Sequence, residues 1–404
     1  LDRDDAIVKN GGNHGLETVS SGDISLTAGF YYPIVLMAGN NTGTGSVTLE
    51  WSDDGGTSWS SSGATYLSHD SRWADGFGED LYSASACLRT WVAVGVSGTI
   101  AVSTNTTSWT TYQLGDSTDT TLTSVAYGKD TSTGDTMWML GTNNSYVASG
   151  SNPNGGAAQW SDLERIINTN SHRALQFGDT GDGVWVMATR AKLKRNVSGS
   201  WDVPTTDLNL NRAKGIAQDG AGKWALAATV YNTGRPSIWK SFDDGATWSE
   251  AWNWPTNYGI NYTGNRDWNI AYKSDKWVAA FPLLGIVTGS ITPGPSDSGA
   301  FSRVFTSSED LRYIAAGDTN TWMAIDRARN VYISTDNAAT WSTTTSIPGS
   351  DAPSGLAYNN GTWVVVTDGT VDNILKSTNN GSSWTAVAST GYSMHDVAVD
   401  RILP

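Results

Sequence analysis

The residues of this chain best suited to chemistry are aspartates, and several recur in one spacing. Ser241-Phe242-Asp243-Asp244-Gly245-Ala246-Thr247-Trp248 reads Ser-x-Asp-x-Gly-x-Thr-Trp throughout. Ser52, Asp54, Gly56 and Trp59 repeat it, with Ser58 in the Thr place. Ser334, Asp336 and Trp341 repeat it with Ala338 for Gly, and Ser377, Asn379, Gly381 and Trp384 with Asn for Asp. A shorter version runs from Ser103 to Trp109. Two chemistries use such carboxylates. A glycosidase needs two of them about 5–10 Å apart, and a calcium site needs several oxygen ligands. The recurrence itself points to a third use. A short Asp or Asn side chain accepts the N–H groups of its own turn, Gly takes the positive-φ position, and Trp packs below. The aspartates are therefore assigned to structure.

Two further groups are candidates for binding. Trp252, Trp254, Tyr258 and Tyr262, with Trp268, crowd one stretch that also holds Pro255. Flat aromatic faces stack on sugar rings, and long decorated loops often carry function. The same aromatics also suit packing of the loop onto its own domain. Arg190, Lys192, Lys194 and Arg195, with Arg212 and Lys214, form a basic set that suits an anionic glycan or a solvated strand face. Cys87 is the sole cysteine, and His14, His69, His172 and His395 are scattered, so neither a disulfide nor a metal site is expected. No glycine-rich phosphate loop leads from a strand into a helix, and no cofactor is expected.

The elements that position these residues are short strands. A Trp opens an apolar run at Trp91, Trp138, Trp185, Trp224, Trp277, Trp322 and Trp363, at intervals of 39 to 53 residues. A period of roughly 40–50 residues with several strands per unit is the mark of propeller blades. The last unit reads as four strands: Gly355 to Tyr358, Trp363 to Thr367, Asn373 to Thr378 and Trp384 to Val387. Its first strand recurs as Ser124-Val125-Ala126-Tyr127 and Asn269-Ile270-Ala271-Tyr272. The Ser-x-Asp turns fall between third and fourth strands. The expected fold is all-β, a seven-bladed β-propeller over 72–404, with an eight-bladed form as the alternative.

The turns resemble the Asp-box, or bacterial neuraminidase, repeat family, and the likeness covers about four fifths of the chain. That resemblance implies a propeller and admits a sialidase. Sialidases carry three arginines on the substrate carboxylate, a Tyr–Glu nucleophile pair and an acid Asp. This chain has no Arg-Ile-Pro, its Arg235-Pro236 precedes an expected third strand, and no Glu is placed beside a central Tyr. Residues 1–71 differ. Phe30-Tyr31-Tyr32-Pro33-Ile34 followed by Leu49-Glu50-Trp51-Ser52 resembles the closing hairpin of a protective-antigen or GLEYA-type β-sandwich, whose members often bind sugars. In the eight-bladed alternative this segment is a further blade, with Met394 to Val399 as its missing inner strand.

Composition narrows the partners. The formal net charge is -14, which repels nucleic acid. The longest apolar run, Trp277 to Val287, contains Pro282 and Gly285 and is too short to span a bilayer. The chain starts at Leu1 rather than Met, as expected for a processed chain or the end of a longer one. The expected function is non-catalytic attachment. The chain resembles a bacteriophage tail or fibre protein, on a virion or outside the cell, binding host surface glycan or receptor, touching other virion subunits and open to homo-oligomer formation. A secreted glycoside hydrolase and an assembly-factor propeller are the alternatives.

Overall fold

A computed structural model describes residues 89–400, apart from 116–119, 168–171, 179, 181–182, 190–191, 205–207, 209–214, 231–234, 255–267 and 293–300. The expected N-terminal module, 1–71, and its Ser52 to Trp59 turn lie outside the described residues.

The described chain forms seven four-stranded antiparallel sheets. Blade 2 comprises Leu122–Lys129, Thr136–Thr142, Tyr146–Gly150 and Glu164–Arg165. Blade 3 comprises His172–Gly178, Val184–Thr189, Leu193–Val197 and Ser200–Asp202. Blade 4 runs from Gly215–Gln218 through Trp224–Thr229 and Pro236–Ser241 to Ser249–Asn253. Blade 5 runs from Asn269–Lys273 through Lys276–Phe281 and Gly285–Gly289 to Phe301–Phe305. Blade 6 is Leu311–Ala316, Trp322–Asp326, Val331–Ser334 and Ser342–Thr343. Blade 7 is Pro353–Asn359, Thr362–Thr367, Ile374–Ser377 and Thr385–Ala388. Among the described residues the only helical pieces are three-residue 3₁₀ turns, and no helix is long and apolar enough to cross a membrane.

Blade 1 is built from both ends of this unit. Met394–Val399 is its innermost strand, paired antiparallel to Trp91–Gly95, and Thr99–Ser103 and Thr110–Gln113 complete it. Each blade's inner strand touches the next, and the circle closes from blade 7 to blade 1 and on to blade 2. The ring therefore has seven blades. Met394–Val399 is not the inner strand of an eighth blade, because its pairing edge is taken by Trp91–Gly95. The closure is fastened at its end by Thr90, whose N–H donates to Asp400 Oδ2 at 2.9 Å.

The seven repeated tryptophans sit in seven different blades, each within the first three residues of the second strand. All are buried. In four blades the aromatic residue ending the first strand packs across the hairpin on this Trp: Tyr127 on Trp138, Phe177 on Trp185, Tyr272 on Trp277 and Tyr358 on Trp363, with ring centroids 4.4–5.1 Å apart. In blades 2, 3 and 6 a glycine at the end of the first strand faces the next blade. A Cβ on Gly178 would stand 2.3 Å from Cζ2 of Trp224, and one on Gly317 would stand 2.7 Å from Cζ2 of Trp363. Likewise a Cβ on Gly128 would strike Phe177. Phe177 and Trp363 thus serve both their own hairpin and the seam to the preceding blade, and Trp224 serves the seam.

Gly178→Ala tests that seam. Overpacking of this kind costs about 1–3 kcal/mol, so the variant should unfold at lower denaturant than the wild type. Equal midpoints would show that the seam yields without cost.

Candidate functional site

Seven inner strands surround an axial cavity of about 570 Å³. Each inner strand is the last of its sheet, so one edge of backbone N–H and C=O groups faces the axis. The lining side chains are mostly small or apolar, with Tyr127, Tyr272 and Tyr358 near the ends of their strands. Among the described residues no arginine, lysine or glutamate lines the cavity, and its one carboxylate is Asp396.

Asp396 belongs to the closing strand, and its carboxylate bridges two blades. Oδ2 accepts the N–H of Val125 in blade 2 at 3.0 Å, and Oδ1 accepts the N–H of Val397 at 2.9 Å. The side chain keeps some surface toward the cavity yet is deep within the protein. Burial pushes its pKa up to about 7, and the two N–H bonds offset only part of that rise. A carboxyl whose folded pKa stands above its unfolded value of about 3.9 holds its proton better in the folded state. Its contribution to stability is complete below about pH 4 and is lost as pH rises through about 7. Denaturant unfolding at pH 5 and pH 8 should therefore show a pH-dependent loss of stability in the wild type that is reduced in Asp396→Asn. The same pH dependence in both proteins would remove Asp396 as its source.

The Ser-x-Asp turns lie between third and fourth strands of blades 4, 6 and 7, with the short version in blade 1. In blade 4 Ser241 Oγ accepts the N–H of Gly245 at 2.9 Å and donates to Asp243 Oδ1 at 2.8 Å. Asp243 Oδ1 also accepts the N–H of Thr247 at 2.8 Å, and Trp248 Nε1 donates to the Gly245 carbonyl at 2.9 Å. The serine and Asp or Asn bonds, but not the indole bond, recur around Ser334 and Asp336 and around Ser377 and Asn379. Gly245, Ala338 and Gly381 share the left-handed conformation, at φ 77°, 61° and 76°. Hydrogen bonds from the Thr340 hydroxyl and N–H, and from Ser334, hold the Asp336 carboxyl well below the usual carboxylate range. These carboxylates are occupied by their own turns.

Each turn also rests on the preceding blade. Gly245 lies against Val186 of blade 3, and Gly381 against Met323 and Val331 of blade 6. Cations fasten several of these contacts. Arg195 Nε donates to the Asp244 carbonyl at 2.7 Å, Lys240 Nζ to the Thr292 carbonyl at 2.8 Å, and Lys376 Nζ to Thr107 Oγ1 at 2.9 Å. These three cations occupy equivalent third-strand positions, each opposite the residue that follows the repeated Trp. Lys276 similarly reaches the Asn337 carbonyl from blade 5 at 2.6 Å. The fully buried Lys240 carries no sequence signal of its own; only alignment of the blades makes its position visible.

The binding candidates fare differently. Trp252 and Trp254 are 7% and 9% exposed and join the core between blades 4 and 5. Trp252 packs on Phe281 and Phe301 of blade 5, and Arg303 covers the Trp254 ring at 5.1 Å. They are seam residues rather than an open aromatic surface, because the fourth strand turns their rings toward the next blade. Tyr258 and Tyr262 lie outside the described residues. In the basic set, Arg195 is engaged with the Asp244 turn, Lys192 is exposed and Lys194 half-buried. Arg190, Arg212 and Lys214 lie outside the described residues.

Turn packing predicts unequal costs. Trp248 is buried, whereas Trp341 is only half-buried. Trp248→Ala should cost about 3–5 kcal/mol, and Trp341→Ala clearly less. Equal losses in denaturant titrations would contradict this ordering.

No family model matches the chain, and no curated protein matches it. Solved structures do. YCF48 bound to D1 peptide superimposes with a TM-score of 0.50 at 16% identity, over 69% of this chain and 87% of that one. YCF48 from Cyanidioschyzon merolae gives 0.50 at 11% identity, over 73% and 92%. A catalytically inactive virginiamycin B lyase from Staphylococcus aureus, solved with quinupristin, gives 0.49 at 13%, over 69% and 92%. At these identities the likeness is one of fold, and the described chain is a seven-bladed β-propeller.

Proposed function

We propose that this chain is a non-catalytic binding propeller acting outside the cell or on a virion, with a host surface glycan or receptor as its partner. One observation carries the reading. Among the described residues, the carboxylates of the axial cavity and of the repeated turns are occupied by structure: Asp396 ties the closing strand to blade 2, and Asp243 and Asp336 hold their own turns. Arg195, Lys240 and Lys376 join one blade to the next. A glycosidase needs carboxylates left free to exchange protons. A binding protein needs a rigid frame with adaptable rims, which a closed ring supplies. The resemblance of the turns to the Asp-box repeat, and of the first 71 residues to a sugar-binding module, supports a glycan as the partner.

A second reading has its own support. YCF48 has been solved with the D1 peptide bound, and its fold is shared by this chain. On that reading the propeller grips a peptide or protein partner, as an assembly factor or a subunit contact would.

Two assays separate these readings. The purified chain should be retained on immobilised bacterial surface polysaccharide and should leave a fluorogenic sialoside intact. Turnover abolished in Asp396→Asn would establish a hydrolase instead. Retention on peptide arrays, with none on polysaccharide, would favour the second reading.

A further inference from the structure

Blades 2 and 3 depart from the seam described above. In blades 1, 4, 6 and 7 the residue opposite the repeated Trp is the serine that opens the turn: Ser103, Ser241, Ser334 and Ser377. In blade 3 it is Asn196, and the turn has shrunk to Ser198 and Gly199, both at positive φ. Val197 pairs directly with Ser200, so the loop is a two-residue hairpin whose twist suits the flanking strands. The short hairpin is tied to blade 2 by the Gly199 N–H, which donates to the Thr131 hydroxyl at 2.8 Å. Met323 and Val331 of blade 6 lie under Gly381, and their counterparts in blade 2 are Met139 and Val147. These two stay buried in a core cluster on which Trp201 packs, and they form the bottom of a groove of about 390 Å³. The cation of blades 3, 4 and 7 (Arg195, Lys240 and Lys376) is replaced in blade 2 by Ser149, as it is by Val102, Thr288 and Ile333 in blades 1, 5 and 6.

The groove has a polar floor. Trp185, Asn196 and Trp201 stand opposite one another on adjacent strands, so the amide lies in a row with two indoles on one face of the sheet. Asn196 is 6% exposed. The Thr131 hydroxyl donates to its Oδ1 at 2.6 Å and fixes the amide. Among the described residues Nδ2 has no hydrogen-bond partner, and Asn196 lines the groove. Trp201 is half-buried, and Asp162 and Glu164 stand exposed on the opposite wall. Among the described residues no group of three His, Cys, Asp or Glu is placed to hold a metal ion.

We propose that this groove is a binding site for an uncharged saccharide. The assignment rests on the glycan-binding reading above and gives it a place. The chemistry selects the class. Asn196 Nδ2 requires an acceptor, whereas Asp162 and Glu164 accept donors. A sugar hydroxyl is both donor and acceptor, so one ring satisfies both walls while its apolar face stacks on Trp201. A lysine or arginine side chain supplies donors only and leaves Nδ2 unmatched. An acidic sugar is repelled by the two carboxylates. The volume falls in the range of small-ligand clefts, about 300–1,000 Å³.

The test is an array of neutral oligosaccharides, with sialylated oligosaccharides and a lysine-rich peptide as counter-probes. Wild type should be retained on neutral glycans alone. Trp201→Ala should weaken retention by about tenfold or more. Ser149→Lys, which places in the groove the kind of side chain found at the equivalent position in other blades, should do the same with an unchanged melting temperature. It serves if Trp201→Ala folds poorly. Wild-type retention that persists in the well-folded Ser149→Lys variant would overturn the groove assignment and leave the binding reading standing. Retention on the peptide alone, or on sialylated glycans alone, would overturn the saccharide class. If no glycan, surface polysaccharide or peptide retains the wild type, the binding reading itself falls.

Discussion

The structure depends on one repeated contact, the indole that opens each blade's second strand. An aromatic ring of this kind buries about 150–250 Å², worth roughly 4–6 kcal/mol at about 25 cal/mol per Å². In blades 4 and 7 that indole abuts the preceding blade's inner strand at Gly178 and Gly317, and in blade 3 Phe177 performs the same role at Gly128. Its counterpart in blade 3 donates through Trp185 Nε1 to the Lys129 carbonyl of blade 2 at 2.7 Å. A four-stranded sheet has two faces to cover and too little material to cover them itself. Wedging a large ring between successive sheets covers both faces at once, so the blades are stable as a ring.

Closing the ring imposes the second constraint. Blade 1 takes its inner strand from the far end of the described chain, across more than 300 residues of sequence. Loop-closure entropy grows slowly with length, and the strand is held by a full antiparallel ladder with Trp91–Gly95. Asp396 adds a bridge to blade 2 at the same place, so the closure is fastened on both sides. The cost is a buried carboxyl whose proton is held up to about pH 7.

Charge is used sparingly and locally. Only 16% of residues are charged, and several basic side chains reach the backbone of the next blade's turn. A cation donating to a carbonyl makes a stronger bond than a neutral pair. The seam between blades 2 and 3 differs in its turn, which is cut to a two-residue hairpin.

The sequence by itself determined the fold class, the blade repeat and the second-strand register, and left seven or eight blades open. Those rest on short-range facts: a Trp at blade period, alternating short strands and turn residues whose side chains bond within eight positions. It also assigned the aspartates of the turns to their own backbone, for the same reason. What it left open concerned side chains whose partners lie in another blade. Trp252 and Trp254 suited either a binding surface or packing, and their rings meet Phe281, Phe301 and Arg303 of blade 5. Arg195 suited either an anionic ligand or a strand face, and it is engaged with the Asp244 turn. Met394–Val399 was recognisable as an inner strand, but only ring closure decided that its partner is Trp91–Gly95. Asn196 carried no signal of a place in a groove, because its environment exists only when blade 3's short hairpin lies over blade 2. Local periodicity encodes a blade. What each blade presents to its neighbour depends on contacts between residues distant in sequence, and those the tertiary structure alone decided.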